Sequence, residues 1–83
     1  MNANEVKKHV LEVISAKSWL AASDIKDEYK LESDLGMDSL DRVELIMALE
    51  REFDVSISDD ELTAIEQMSV AELSDFMVQK TGK

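Results

Sequence analysis

Proline is absent from this 83-residue chain, and glycine occurs only at positions 36 and 82. These two residue types interrupt regular structure more strongly than any others, so long helices are allowed over most of the chain. Apolar residues also recur at helical spacing, for example at Val6, Val10 and Ile14. The pattern predicts an all-α fold in which Gly36 marks a turn.

Helix starts are marked by residue pairs with the spacing of a capping box, in which a polar side chain and an acid three positions later close the first turn. The pairs are Asn2 with Glu5, Asp38 with Asp41, Ser58 with Glu61, and Ser69 with Glu72. The predicted helices run from Ala3 to Lys17, from Ser39 to Phe53, from the Ser58 pair to Glu66, and from Val70 to Lys80, with Gly82 able to end the last one. Three long helices and one short helix predict a small four-helix bundle.

A long connection separates the first two predicted helices, and its apolar residues follow no clean period. Long connections in small domains often have functional roles, although this one can also simply span two antiparallel helices. We expect it to be partly packed through its apolar residues, which are Trp19, Leu20, Ile25, Tyr29, Leu31 and Leu35.

The chain is strongly acidic, with nineteen acidic against nine basic side chains and a net charge of −10. Its length predicts one domain over residues 1–83, without room for a second core. Seventeen of the acids and four of the basic residues fall within residues 24–75. Such a surface disfavours nucleic acid and stable membrane association, because phosphates are repelled, and it favours partner proteins with basic patches.

The compartment is indicated by what the sequence lacks. It has no cysteine, its first residues do not resemble a signal peptide, and no apolar run approaches the ~20 residues of a membrane span. We therefore expect a soluble cytoplasmic protein, and a monomer.

Ser39 is the residue most suggestive of function. Asp38 is a good N-cap residue, and Asp41 three positions later can complete a capping box with it. Ser39 is therefore predicted to be the first residue of the second helix. A helix start presents free backbone N–H groups and a partial positive charge, which suit a covalently attached phosphate. The same residues are also consistent with nothing more than a capped helix.

The second predicted helix has two apolar faces. At about 100° per residue, one side gathers Leu45, Ile46, Leu49 and Phe53 and is expected to face the core. Leu40, Val43 and Met47 fall on the opposite side, which is flanked by acids and Arg51. This outer stripe predicts either a surface covered by the long connection or a docking face for a partner with a hydrophobic slot and a basic rim.

The run from Asp34 to Asp41, continued by Val43 to Glu50 and by Glu52 to Asp54, resembles the modification motif and recognition helix of the acyl carrier proteins. The resemblance implies that Ser39, preceded by Asp38, is esterified by a 4′-phosphopantetheine arm derived from coenzyme A, whose thiol carries acyl groups as thioesters. It implies a partner-docking face formed by Leu40, Asp41, Val43, Glu44, Met47 and Glu50. It also implies an acyl-chain cavity lined by Leu45, Leu49, Ile57, Leu62, Ile65 and Phe76.

By the same resemblance, the partners are a phosphopantetheinyl transferase and the acyl-loading, chain-elongating or modifying enzymes of fatty acid, polyketide-like or specialised lipid biosynthesis. The chain departs from the acidic pattern of the fatty-acid members at Arg42 and Arg51, and we expect partner specificity to depend on these residues.

Other functions fit these residues less well. An activated serine needs a base, and the only histidine is His9, predicted on the first helix, so an enzyme is disfavoured. A calcium loop starting at Asp34 would need glycine where Ser39 stands, so no metal site is expected. Two alternatives stay open, namely a carrier of aminoacyl or peptidyl groups and a helical interaction module that is never modified.

Overall fold

The computed structural model describes residues 2–82, so Met1 and Lys83, the ends of the predicted domain, lie outside the described residues. This part of the chain contains no strand, and its α-helices are α1 (Ala3–Lys17), α2 (Ser39–Phe53), α3 (Asp59–Ile65) and α4 (Val70–Thr81), with a 3-10 turn at Ala22–Asp24. The predicted all-α bundle of three long helices and one short helix is confirmed. Within residues 2–82, none of the helices has the length and apolar character needed to cross a bilayer.

Each α-helix begins with a reciprocal capping box, as predicted. The backbone amide of the third helical residue donates to the cap side chain, over 2.9 Å at Asn2 and Asp38 and over 3.2 Å at Ser58 and Ser69. The starts are therefore set by local sequence, and the predicted ends agree within one residue. Gly82 follows α4 with φ −74°, so it does not adopt the left-handed conformation that ends many helices.

The core lies between α1 and the two long helices packed on it, α2 and α4. Among the described residues, fourteen apolar side chains are buried, and three of them, at four-residue spacing, form the inner stripe of α1. The buried set is Val6, Val10, Ile14, Ile25, Leu31, Leu35, Met37, Leu45, Ile46, Leu49, Ile65, Val70, Leu73 and Met77. The predicted inner face of α2 is confirmed, with Phe53 half-buried at its end.

The long connection packs onto this core and is tied to the start of α4. It buries Ile25, Leu31, Leu35 and Met37. Its carbonyl groups at Asp27 and Tyr29 accept hydrogen bonds of 2.9 and 2.8 Å from the first two amides of α4, and Lys30 forms an isolated bridge with Ser69. The connection is therefore an ordered layer of the fold.

Trp19 does not take part in this packing, contrary to the sequence-based expectation, because 79% of its surface is exposed. Ser18 ends α1 in extended backbone, where successive side chains point in opposite directions. Leu20 packs against the core, and its amide and carbonyl are held by the Ser18 and Ser15 hydroxyls. Fixing Leu20 inward leaves its neighbour Trp19 in solvent.

Candidate functional site

A tight turn over residues 30–37 delivers the chain to the start of α2. The Lys30 carbonyl accepts hydrogen bonds of 3.1 Å from the amides of Asp34 and Leu35, and Gly36 has φ +67°, a conformation that favours glycine. The side chain of Met37 is buried, and its amide donates to the Leu31 carbonyl over 3.0 Å. The backbone is thus anchored immediately before Asp38.

Ser39 is the first residue of α2, as predicted, and it is exposed. The Asp38 carboxylate accepts from the Asp41 amide over 2.9 Å, and the Asp41 carboxylate accepts from the Asp38 amide over 3.4 Å. The amides of the first helical residues, Ser39 and Leu40, lack partners within their own helix. An anion bonded to Ser39 would therefore meet free N–H groups and the positive end of the helix dipole.

Arg42 lies beneath the serine with only 7% of its surface exposed. Its Nη1 donates to the Met37 carbonyl over 2.9 Å and to Glu32 over 3.5 Å. Its Nη2 donates to the Ser39 hydroxyl oxygen over 3.5 Å and to Glu66 over 3.4 Å. The guanidinium thus joins the turn, the serine and the end of α3.

The side chain of Arg42 is buried, so it is not an exposed contact for a partner, and the dependence of partner specificity on Arg42 stays a prediction. The helical wheel contains the signal that was missed: positions 42, 45, 46 and 49 form one continuous stripe, and its last three members are buried apolar residues. An arginine at the start of a core stripe is therefore expected to pack inward and to pair there.

The outer face of α2 is open. Leu40, Val43 and Met47 are 66%, 42% and 50% exposed, and Glu44 between them is also exposed. The connection does not cover this stripe, so the prediction of an exposed face holds and the covered alternative is wrong. Lys17 of α1 and Arg51 line a shallow hollow together with Glu44 and Met47, so the acidic face has a basic border.

Two residues assigned to the docking face also have contacts inside the protein. Glu50 is half-buried, and its Oε2 accepts from the Ile57 backbone amide over 2.9 Å, which holds the loop between α2 and α3. Asp41 is half-buried and completes the cap of α2. The most accessible part of the face is therefore formed by Leu40, Val43, Glu44 and Met47.

The six residues assigned to an acyl-chain cavity all lie in or against the core. Leu45, Leu49 and Ile65 are buried, whereas Ile57, Leu62 and Phe76 are half-buried and pack against the buried cluster. They therefore bring α2, α3, α4 and the loop before α3 to one apolar interior. Binding of an acyl chain in this apolar interior stays a prediction.

His9 is remote from Ser39. Its Nδ1 contacts a carboxylate oxygen of Glu52, and its ring packs edge to face on Phe53 with centroids 6.2 Å apart. Glu52 lies near the opposite end of α2, about 20 Å along the helix axis from Ser39 at 1.5 Å per residue. The chain's only histidine is not placed to take a proton from the serine.

Comparison with known proteins agrees with this arrangement. A family model described as a phosphopantetheine attachment site matches residues 8–77. The acyl carrier proteins of Chlorobium phaeobacteroides and Chlorobium phaeovibrioides are 42% and 44% identical over 80 residues, which cover 96% of this chain and 100% of each relative. The solved acyl carrier protein from Enterococcus faecalis matches with a TM-score of 0.77 and 31% identity, over 96% of this chain and 99% of that chain.

A short capped helix bundle with a phosphopantetheine attachment site defines a carrier domain. Within that class, the full-length similarity shows that the chain belongs to the acyl carrier protein family. Its function is to carry acyl groups on 4′-phosphopantetheine, and fatty acid biosynthesis is the usual context of such carriers.

Proposed function

We propose that the Ser39 hydroxyl oxygen is the attachment point of 4′-phosphopantetheine, joined through a phosphodiester. The observation that carries the proposal is the placement of an exposed hydroxyl on the first residue of a capped 15-residue helix, within hydrogen-bond distance of a buried guanidinium. Free amides, the helix dipole and a cation all favour a phosphate there. When bound, the group supplies the thiol that holds the acyl chain as a thioester.

The chain itself contributes no catalyst in this proposal. Ser39 has no histidine near it, so the base that removes its proton comes from the phosphopantetheinyl transferase. The role of Asp38 is to cap α2 and so fix the direction in which the Ser39 side chain leaves the surface. We infer a non-catalytic, monomeric carrier that works in the cytoplasm, and the absence of cysteine supports a reducing compartment.

The outer face of α2 is the proposed docking surface for the transferase and for the acyl-loading, chain-elongating or modifying enzymes. Leu40 and Met47 offer apolar contacts, and Glu44 between them offers a charge that a basic patch can pair with. Because this face adjoins Ser39 on the same helix, docking brings the partner to the arm. Lys17 and Arg51 at its border repel a partner whose basic patch extends that far.

The attachment proposal is tested by intact mass spectrometry of the protein incubated with a phosphopantetheinyl transferase and coenzyme A. We expect the mass of one phosphopantetheine group to be gained, and we expect Ser39→Ala to gain none. Ser33→Ala is the matched control, since Ser33 is an exposed serine in the preceding turn, and it should be modified fully. Modification of Ser39→Ala would overturn the assignment, and an unmodified wild type would favour an interaction module.

A further inference from the structure

Arg42 has more hydrogen-bonding capacity than its surroundings use. A guanidinium has five N–H donors, and a buried charge is unfavourable unless its donors are paired. The two carboxylates near it are 3.4 and 3.5 Å away, at the long limit of such contacts, and only the bond to the Met37 carbonyl is short. Among residues 2–82, the buried Nε has no partner. The pairing of this cation is therefore incomplete.

The guanidinium lies beside the attachment oxygen. Nη2 is 3.5 Å from the Ser39 hydroxyl oxygen, so phosphate oxygens attached to that atom come within reach of the same guanidinium. Arginine forms strong, often two-pronged hydrogen bonds with phosphate, stronger than those of neutral donors. The guanidinium also lies against the first turn of α2, where the free amides favour an anion.

The local charge explains why a cation is useful at this point. Asp38 and Asp41 flank Ser39 along the chain, and Glu32 and Glu66 approach Arg42 from the turn and from α3. Adding a negative phosphodiester to such a cluster is unfavourable unless a positive charge offsets it. Arg42 is held at the centre of these groups and already contacts the serine.

We propose that Arg42 binds the phosphodiester of the group carried by Ser39, an inference that rests on the proposed attachment function. Nη2 has two N–H groups, and its two partners are the Ser39 oxygen and Glu66, so the phosphodiester and Glu66 share one nitrogen. Because the phosphodiester brings a further anion to a guanidinium that is already 3.4 Å from Glu66, we expect modification to weaken the contact with Glu66, the residue that follows α3. Arg42 thus positions the base of the arm and links its presence to the end of α3.

A thermodynamic cycle tests this contact. The unfolding equilibrium in urea is measured for unmodified and phosphopantetheinylated forms of the wild type, of Arg42→Gln and of Arg51→Gln. Arg51 is the matched control, because it is an exposed arginine near the other end of the same helix. We expect modification to increase the folding equilibrium constant in the wild type by a factor about ten times larger than in Arg42→Gln. Such a difference is typical of a hydrogen bond to a charged group. Arg51→Gln should behave like the wild type.

A second readout separates a phosphate contact from a general loss of stability. The phosphorus NMR resonance of the modified protein should shift in Arg42→Gln, return toward the wild-type position in Arg42→Lys, and stay unchanged in Arg51→Gln. If Arg42→Gln does not fold, Glu66→Gln carries the test, because it leaves Nη2 with the phosphodiester as its one anionic partner, so that the phosphorus resonance should shift and the stabilisation on modification should increase. Equal effects of modification in all these variants would overturn the proposal.

The outcomes also distinguish this inference from the attachment proposal. A wild type that gains no phosphopantetheine refutes attachment at Ser39. If the wild type gains the group on Ser39, but its phosphorus resonance and its stabilisation on modification are the same as in Arg42→Gln, only the role of Arg42 is refuted.

Discussion

Glu61 joins two helices through a single carboxylate. As the third residue of α3, it completes the capping box with Ser58, and both of its oxygens accept from Lys80 of α4, over 2.7 and 2.8 Å. These hydrogen bonds, chiefly those from Lys80 and then the one from the Ser58 amide, hold the pKa of Glu61 below its ordinary value of 4.5. The Ser69 amide lowers the pKa of Glu72 in the same way.

The lowered pKa values predict how stability depends on pH. A carboxylate with a depressed pKa stabilises the fold fully above its unfolded-state value, and the contribution is lost as pH falls through the folded-state value. We therefore expect unfolding free energy to decline as pH drops below about 4.5, and Glu61→Gln to show a smaller decline. Urea titrations between neutral and acidic pH measure both slopes.

The control for this prediction is Glu28→Gln, which removes one exposed carboxylate from the connection. It removes the same charge without removing a partner of Lys80, so only a change larger than that in Glu28→Gln is assigned to the Glu61–Lys80 pair. If the unfolding free energy of Glu61→Gln declines as steeply at acid pH as that of the wild type, the pair of Glu61 and Lys80 does not contribute to the pH dependence.

Individual residues also show where sequence reasoning succeeds. Ser39 could be placed because capping involves residues three positions apart, so its geometry is encoded locally. The contacts of Arg42 with Glu32 and Glu66 could not, because both partners are distant in sequence and only the fold brings them together. The role of Glu50 in holding Ile57 was also not predictable, because it depends on the path of the loop between α2 and α3, although the two residues are only seven positions apart.

The outer face of α2 predicts partner docking at the level of the element. Glu44→Lys or Met47→Ala should raise the KM of a phosphopantetheinyl transferase by about tenfold, as expected for a central interface residue. Both side chains are exposed, so helicity by circular dichroism should not change. Asp75→Lys, the same charge reversal as Glu44→Lys on an exposed position of α4, is the control and should leave KM unchanged. Unchanged kinetics in both α2 variants would refute the docking face.

Helices were predictable as elements, and the connection was not. Capping boxes mark where α1 to α4 begin, and the absence of proline allows each helix to continue. Both features are visible in the sequence. The connection contains no period, because each of its apolar residues meets the core in a different local geometry, including the turn at Gly36. Propensity and pattern therefore could not tell that Leu31 and Met37 are buried while Trp19 is exposed.

Charge acts on the molecule as a whole. A net charge of −10 on 83 residues, concentrated in residues 24–75, destabilises the compact state by self-repulsion. Salt shortens the range of that repulsion from about 30 Å at 0.01 M to about 8 Å at 0.15 M. We expect the Tm measured by calorimetry to rise by several degrees between these conditions, and by less in Asp75→Lys, which carries less negative charge. A Tm that ignores ionic strength would contradict this explanation.

The hydrogen bonds between the connection and the start of α4 also have a dynamic consequence. The first amides of a helix normally exchange their hydrogens quickly with solvent, because they have no partner in the helix. In this protein Val70 and Ala71 donate to the carbonyls of Tyr29 and Asp27. Their exchange rates therefore report how often residues 27–29 lift away from the bundle. Hydrogen exchange at Val70 and Ala71 therefore measures local opening of the connection that precedes Ser39.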